Sequence, residues 1–207
     1  MKVKTLFLCI TAALGAAAVG LALPQESKDA GKAPSQAEQD AMMKEMMALA
    51  EPGAQHKKLQ EMAGNWDATI KMWMGGPGSP PMESKGTSTG KMILDGRFLR
   101  EEFDGTMMGL PFKGEGTTGY DKFRNVFVGT WMDSMGTGII TNTGSMDPSG
   151  KELNSYGTMD EPSMKLIGRM VRYRTVLVDH DKHVFEMYDL HAGPEYKVME
   201  ITYTRKK

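Results

Sequence analysis

The residues best suited to chemistry lie on strand-like segments. The segment from Arg97 to Asp104 alternates in polarity, and Arg97 and Glu101 share its more apolar face with Leu99 and Phe103. A face of that kind points into a core, where two charged groups are tolerated only if they pair or meet a polar ligand. We therefore predict that Arg97 and Glu101 line a ligand site. A purely structural ion pair near a rim explains the same pattern.

A second strand-like segment, from Phe127 to Asp133, places Trp131 and Asp133 on one face. Tyr203, near the C-terminus, and Met72 have the parity to join them. An apolar cavity with a few convergent polar groups is typical of a small-molecule site. The predicted ligand-binding residues are Arg97, Glu101, Trp131, Asp133, Tyr203 and Met72.

No catalytic residue and no cofactor is predicted. The alternative to ligand binding is an enzyme acting on a hydrophobic small molecule, with Glu101 or Asp133 as its general base. The sequence has no nucleophile elbow, because its Gly-x-Ser-x-Gly match, Gly86–Gly90, lies in a strand-like segment and not at a strand-to-helix turn. Zinc-type ligand spacing is also absent, and the glycine-rich loops lack the strand-to-helix context of a phosphate loop. His180 and His183 flank a charged turn and are predicted to form a solvated hairpin tip. His56 is predicted to pack as a helix residue rather than to bind haem.

Methionine is unusually frequent, with 20 residues in the chain. A predicted helix from Ser35 to Glu51 places Met42, Met43, Met46 and Met47 in one stripe with Leu49. Such a stripe is expected to dock on the rest of the fold or to plug one end of it. Because thioethers are ligands for Cu(I), a periplasmic copper-binding protein is an alternative.

The N-terminus is typical of a secretory signal peptide over residues 1–22. Lys2 and Lys4 precede an uncharged apolar run, which ends in the small residues of a cleavage site. Its removal takes away Cys9, the single cysteine, and changes the formal net charge from −1 to −3. We expect a secreted or periplasmic protein with no membrane span after cleavage and no thiol. The small negative net charge does not indicate a basic surface that could bind nucleic acid.

Residues 23–52 are predicted to form a flexible leader that carries the methionine-rich helix. Residues 53–207 are predicted to form one all-β domain, a single up-and-down antiparallel barrel of about ten strands preceded by one or two short helices. The clearest strand alternates from Trp66 through Ala68, Ile70 and Met72 to Met74. The absence of intervening helical patterns favours a meander that closes on itself. The sequence does not indicate an oligomeric state.

Three connections contain methionine beside glycine or proline. They are Gly75–Pro81 with Met82, Met107–Pro111, and the segment holding Met132 and Met135. If they gather at one mouth of the barrel, they form an adaptable apolar lid. If they do not, they are ordinary hairpin loops.

The opening Gly64-Asn65-Trp66 resembles the Gly-x-Trp start of lipocalins and related calycin barrels. That resemblance implies that Trp66 seals the closed end and that a basic residue of the last strand, here Arg205, packs over its ring. Further motifs together resemble a bacterial family catalogued as domain of unknown function 1579, from Gln55 to the C-terminus. They are Met92–Leu99, Gly116–Asp121, Gly129–Met135, His183–Tyr188 and Met199–Arg205. The resemblance implies a calycin-like barrel and brings no established reaction or substrate.

Overall fold

The computed structural model describes residues 33–207, and the predicted signal peptide lies outside this range. Within this range two helices precede ten strands, and a short 3-10 turn separates the seventh strand from the eighth. The helices are α1 (Gln36–Ala50) and α2 (Ala54–Glu61). The strands are β1 (Gly64–Met72), β2 (Met82–Ile93), β3 (Phe98–Met107), β4 (Leu110–Asp121), β5 (Val126–Asp133), β6 (Ile140–Met146), β7 (Glu152–Glu161), β8 (Leu166–Asp179), β9 (Lys182–Asp189) and β10 (Lys197–Arg205).

Each strand pairs antiparallel with its neighbours in the chain, and the first strand also pairs with the last. The closing register places Trp66 opposite Arg205 and Met72 opposite Met199. Closure leaves no free sheet edge, and the mostly short connections suit an antiparallel meander. The prediction of a closed up-and-down barrel of about ten strands is confirmed.

The two ends of the barrel differ. We call one end the mouth; it holds the β1–β2, β3–β4, β5–β6, β7–β8 and β9–β10 connections. The other end is the base, where α2 buries Leu59 completely against Leu99, Phe127 and Leu153. His56, on the same helix, accepts a hydrogen bond at Nδ1 from the Gly53 backbone N–H over 2.9 Å. As expected, His56 packs as a helix residue and is buried.

The alternation of side chains along each strand determines which residues face the barrel interior. On β1, Trp66, Ala68 and Ile70 are buried while the residues between them are exposed, which confirms the predicted face as far as Met72. Met74 lies beyond the strand and is exposed. The main core cluster runs from Trp66 towards the mouth, and half-buried side chains complete it there. Its buried members are Trp66, Ala68, Ile70, Phe103, Phe112, Ile201 and Tyr203, and Met72, Met107, Trp131, Phe185 and Met199 pack against them.

The methionine stripe of α1 remains unpartnered. Met42, Met43, Met46 and Met47 are each 56–62% exposed, and no residue of α1 is buried. The expected docking of this stripe on the barrel is therefore not found. The C-terminal turn of α1 is instead held at the base, where Arg97 Nε donates to the Ala50 carbonyl over 3.0 Å and Lys122 Nζ donates to the Glu51 carbonyl.

Candidate functional site

A cluster of polar side chains lies inside the barrel near its base. Glu101 projects inward from β3 between the buried Leu99 and Phe103. Ser88 Oγ, from β2, donates a hydrogen bond of 2.7 Å to Glu101 Oε1, and the Tyr203 hydroxyl bonds to the same carboxylate. We call Ser88, Glu101, His183 and Tyr203 the interior polar cluster. Four strands supply it because inward positions of β2, β3, β9 and β10 meet at one level of the barrel.

His183 completes the cluster from β9. Its imidazole stacks on the Tyr203 ring at 4.3 Å and 15°, and it meets the Trp66 indole edge-on at 4.4 Å. The side chain is buried, and Nδ1 has no hydrogen-bond partner among the described residues. Leaving a buried polar atom unpaired costs free energy, so this atom calls for a water or a ligand as its partner.

Burial controls the protonation of the cluster. It raises the pKa of Glu101, and the hydrogen bonds from Ser88 and Tyr203 oppose that effect only in part. Burial also lowers the pKa of His183 to about 4, with a further contribution from the nearby Arg205 charge. The pKa of Tyr203 is raised well above its usual value by burial and by Glu101. At neutral pH the cluster therefore presents a neutral imidazole, a protonated phenol and a carboxyl group that accepts a proton readily.

The cluster faces a cavity of about 50 Å³. Glu101 keeps some accessible surface because it lines this cavity. The volume suffices for water-sized occupants, and a drug-sized ligand needs about 300 Å³ or more. Trp66 and Tyr203 of the main core cluster also line this cavity. Among the described residues, the buried Tyr173 hydroxyl of β8 is a further polar atom without a hydrogen-bond partner.

Trp66 and Arg205 lie together at the base. The Arg205 guanidinium carbon is 4.0 Å from the centre of the Trp66 ring, a cation–π distance. The same guanidinium donates to the carbonyls of Glu61, Ala63 and His180 over 2.8–3.0 Å. Trp66 Nε1 donates to the Met62 carbonyl over 3.0 Å. Gly64, with φ of +130°, lets the guanidinium pass, since a Cβ there would lie 2.3 Å from Arg205 Nη1.

Arg97, predicted to line the ligand site with Glu101, does not join Glu101 inside the barrel, and the alternative ion pair between them is not formed. The chain turns tightly at Leu94, Asp95 and Gly96, all at positive φ, and β3 begins only at Phe98. Arg97 therefore belongs to the turn. Its guanidinium bonds to the carbonyls of Leu94 and Ala50 outside the barrel.

The remaining predicted residues occupy the mouth half. Trp131 Nε1 donates to Asp133 Oδ2 over 3.0 Å, so these two groups pair with each other instead of converging on Glu101. The Trp131 ring lies over Gly114 and Gly116, where a side chain would collide with it. Asp133 also borders a groove of about 550 Å³ that is lined mainly by outward-facing residues of β2–β5. Met72 packs on the core at the mouth. Of the six predicted ligand residues, the structure unites only Glu101 and Tyr203 in one cavity.

Ser88 and His183 were not among the predicted site residues. His183 was predicted to be solvated, and that is wrong because it is 7% exposed. His183 alternates with Phe185 and Met187 along β9, and this pattern indicates that His183 faces the interior. The charged turn next to His183 obscures the pattern. His180, on that turn, is exposed as expected.

Residues 51–205 match the family model described as Protein of unknown function (DUF1579). The chain belongs to this family. The match spans α2 and all ten strands, so the interior polar cluster lies within the DUF1579 region. No curated protein matches the sequence.

Solved structures are similar to this DUF1579 barrel. Rv2717c from M. tuberculosis aligns with a TM-score of 0.50 and 12% identity, over 76% of this chain and 100% of that one. The S-type phycobiliprotein lyase CPES from Guillardia theta aligns with a TM-score of 0.49 and 11% identity, over 75% and 99%. At 12% identity the likeness to Rv2717c concerns the fold alone.

Two features are absent from residues 33–207. No helix in that range has the length and apolarity needed to cross a membrane. No group of three or more His, Cys, Asp or Glu side chains in the same range is placed to hold a metal ion.

Proposed function

We propose that this DUF1579 barrel binds a small, mostly apolar organic molecule in its interior, as an exported protein of the periplasm or the extracellular space. The interior polar cluster is the observation that carries the proposal. Export rests on the signal-like residues 1–22. The ligand has a polar end that both donates and accepts hydrogen bonds, such as a hydroxyl group, because the cluster offers both roles.

The cluster has no evident role in folding. Glu101 sits among apolar residues of the barrel, and burial of its carboxylate costs free energy that only two hydrogen bonds offset. His183 adds an unpaired nitrogen. Polar groups held at such a cost, with shifted pKa values and a cavity beside them, are characteristic of binding and catalytic sites.

The ligand must enlarge the 50 Å³ cavity. The half of the interior nearer the mouth is suited to this, because Met72, Met107 and Met199 are only half-buried there. Methionine is unbranched and flexible, so these side chains can move aside at low cost. The apolar part of the ligand then occupies their space, and its polar end reaches Glu101, Tyr203 and His183.

Replacing Glu101 with glutamine is expected to weaken binding of an uncharged apolar probe, N-phenyl-1-naphthylamine, by about tenfold, the effect of losing one charged hydrogen-bond acceptor. The same substitution is expected to raise the free energy of unfolding at pH 7, because it removes a desolvated negative charge. Fluorescence titration and urea unfolding measure the two effects. A loss of binding with a gain in stability excludes misfolding as the cause.

Glu102→Gln is the matched control. Glu102 is the next residue on β3, points outward and lies 3.0 Å from Arg100 in an exposed ion pair. We expect this variant to bind the probe as the wild type does. Equal binding by all three proteins would contradict an interior site at Glu101.

A second candidate function is an enzyme acting on a hydrophobic small molecule, with Glu101 as general base. The raised pKa of a carboxyl group that faces a cavity supports it. Asp133 is less suited to this role because it already accepts hydrogen bonds from Trp131 and from the Met135 backbone. Turnover is tested by extracting the ligand that co-purifies with the protein and incubating it with fresh protein. A change in ligand mass with the wild type but not with Glu101→Gln would establish it.

The copper alternative gains support from the exposure of the α1 stripe. Met42 and Met46, and likewise Met43 and Met47, are one helical turn apart, and all four are more than half exposed. Titration with Cu(I) alone tests this function. Binding that disappears on deletion of residues 23–51, with probe binding intact, would assign copper to the leader.

A further inference from the structure

The connections at the mouth of the barrel differ in composition from those at the base. Three neighbouring mouth connections, residues 73–82, 107–111 and 134–140, contain no charged residue. All four base connections contain both acidic and basic residues. They comprise residues 94–97, 121–125, 147–151 and 179–182. The other two mouth connections hold Lys165 and Glu195. The mouth is therefore uncharged on the side formed by the three connections, whereas every base connection is charged.

The mouth connections also expose their apolar side chains. Met74, Leu110 and Ile139 are 68%, 55% and 64% exposed, and Ile167, just beyond the β7–β8 turn, is 89% exposed. We call these four residues the mouth rim. Single exposed apolar residues are normal on a protein surface, but their concentration on successive hairpins of one end indicates an interaction surface.

The mouth rim continues into the barrel. Below the exposed tips, Met72 and Met107 are half-buried and pack on the main core cluster. Packed, mostly apolar side chains therefore lie between the rim and the interior polar cluster. An apolar molecule that displaced them would pass from an apolar phase into the barrel without crossing water.

We propose that the mouth rim docks on the surface of a lipid bilayer, with its apolar tips in the boundary between headgroups and acyl chains. Uncharged tips have no electrostatic complementarity to an acidic or a basic partner. The apolar side chains stand on separate hairpins, whereas a second protein copy would need one continuous, complementary face. Insertion of isolated apolar groups by about 5–10 Å fits this arrangement. The proposal goes beyond ligand binding and does not require a ligand in the barrel.

Flotation with vesicles of pure phosphatidylcholine tests the proposal. Leu110→Glu/Ile139→Glu places two charges on the mouth rim, and Leu94→Glu/Phe123→Glu places two on exposed apolar residues of the base. We expect the wild type and the base variant to float with the vesicles. We expect the rim variant to lose about tenfold or more of its bound fraction, because charged side chains enter the membrane poorly. High salt should have little effect, since the three tips lack charge.

Four outcomes would overturn the proposal. The first is failure of the wild type to float, and the second is equal binding by the two variants. Binding restricted to vesicles containing phosphatidylglycerol, and lost in high salt, would indicate electrostatic attachment instead. A rim variant that turns a dimer into a monomer without vesicles would identify a second copy as the occupant. Probe titration of the rim variant separates this question from interior binding, which the substitutions should leave intact.

Discussion

Replacing Arg205 with alanine is expected to lower the free energy of unfolding by about 3 kcal/mol. The side chain contributes a cation–π contact with Trp66, worth about 0.5–2 kcal/mol, and three charged hydrogen bonds to the carbonyls of Glu61, Ala63 and His180. Its loss also opens the base of the barrel beside Trp66, which is 2% exposed. Urea unfolding at pH 7 measures the change as a lower midpoint with an unchanged slope.

Lys206→Ala is the control for this variant. Lys206 is the next residue and forms an exposed ion pair of 3.5 Å with Asp67, a contact of a kind that contributes less than about 1 kcal/mol. Arg205→Lys keeps the charge but loses the planar fork, so we expect a loss between those of the other two variants. If Arg205→Ala unfolds within about 0.5 kcal/mol of the wild type, Arg205 does not close the barrel.

Acidification is expected to destabilise the barrel through His183. The folded-state pKa of His183 is about 4, below its ordinary value of 6.5. Between these two values the unfolded chain binds a proton at this site and the folded protein does not, so stability falls as the pH drops from about 6.5 to 4. At pH 5 the loss from this one group is about 2 kcal/mol.

His183→Phe isolates this effect. Phenylalanine keeps a ring against Tyr203 and Trp66 and removes the titrating group, and Nδ1 has no partner within the described residues whose bond would be lost. Urea unfolding at pH 7 and at pH 5 should show a fall for the wild type that is about 2 kcal/mol larger than the fall for the variant. Parallel losses in the two proteins would show that His183 is not buried in its neutral form.

Glu101 has the opposite pH dependence. Its folded-state pKa is raised, so the folded protein binds the proton more tightly than the unfolded chain does. Its contribution to stability is therefore present at acid pH and is lost as the pH rises above the ordinary carboxyl range. Glu101→Gln removes this loss, which is why it should stabilise the protein at pH 7 while weakening probe binding.

Period-two alternation made much of the fold predictable. The face of Trp66, Ala68 and Ile70 follows directly from it, and so does the inward parity of Tyr203 and Arg205. Because each hairpin is antiparallel and most connections are short, the meander and its closure followed from the count of strands. The stacking of Arg205 on Trp66 followed from the resemblance to calycin barrels.

The site was less predictable because parity holds only within a strand. Arg97 shares the parity of Glu101 but lies before the strand begins, in a turn whose positive φ values the alternation does not reveal. Trp131 and Asp133 have the predicted parity, yet their polar groups satisfy each other. His183 looked solvated because its neighbours along the chain are charged, whereas the strand pairing sets its environment.

Native mass spectrometry of residues 23–207, purified after export, tests the central claim most directly. The interior-binding account predicts an added mass of a few hundred daltons that disappears on denaturation. That mass should be retained by Glu102→Gln and reduced in occupancy in Glu101→Gln. The absence of any added mass, together with a failure of N-phenyl-1-naphthylamine to bind, would contradict the account and indicate an interior that is simply packed.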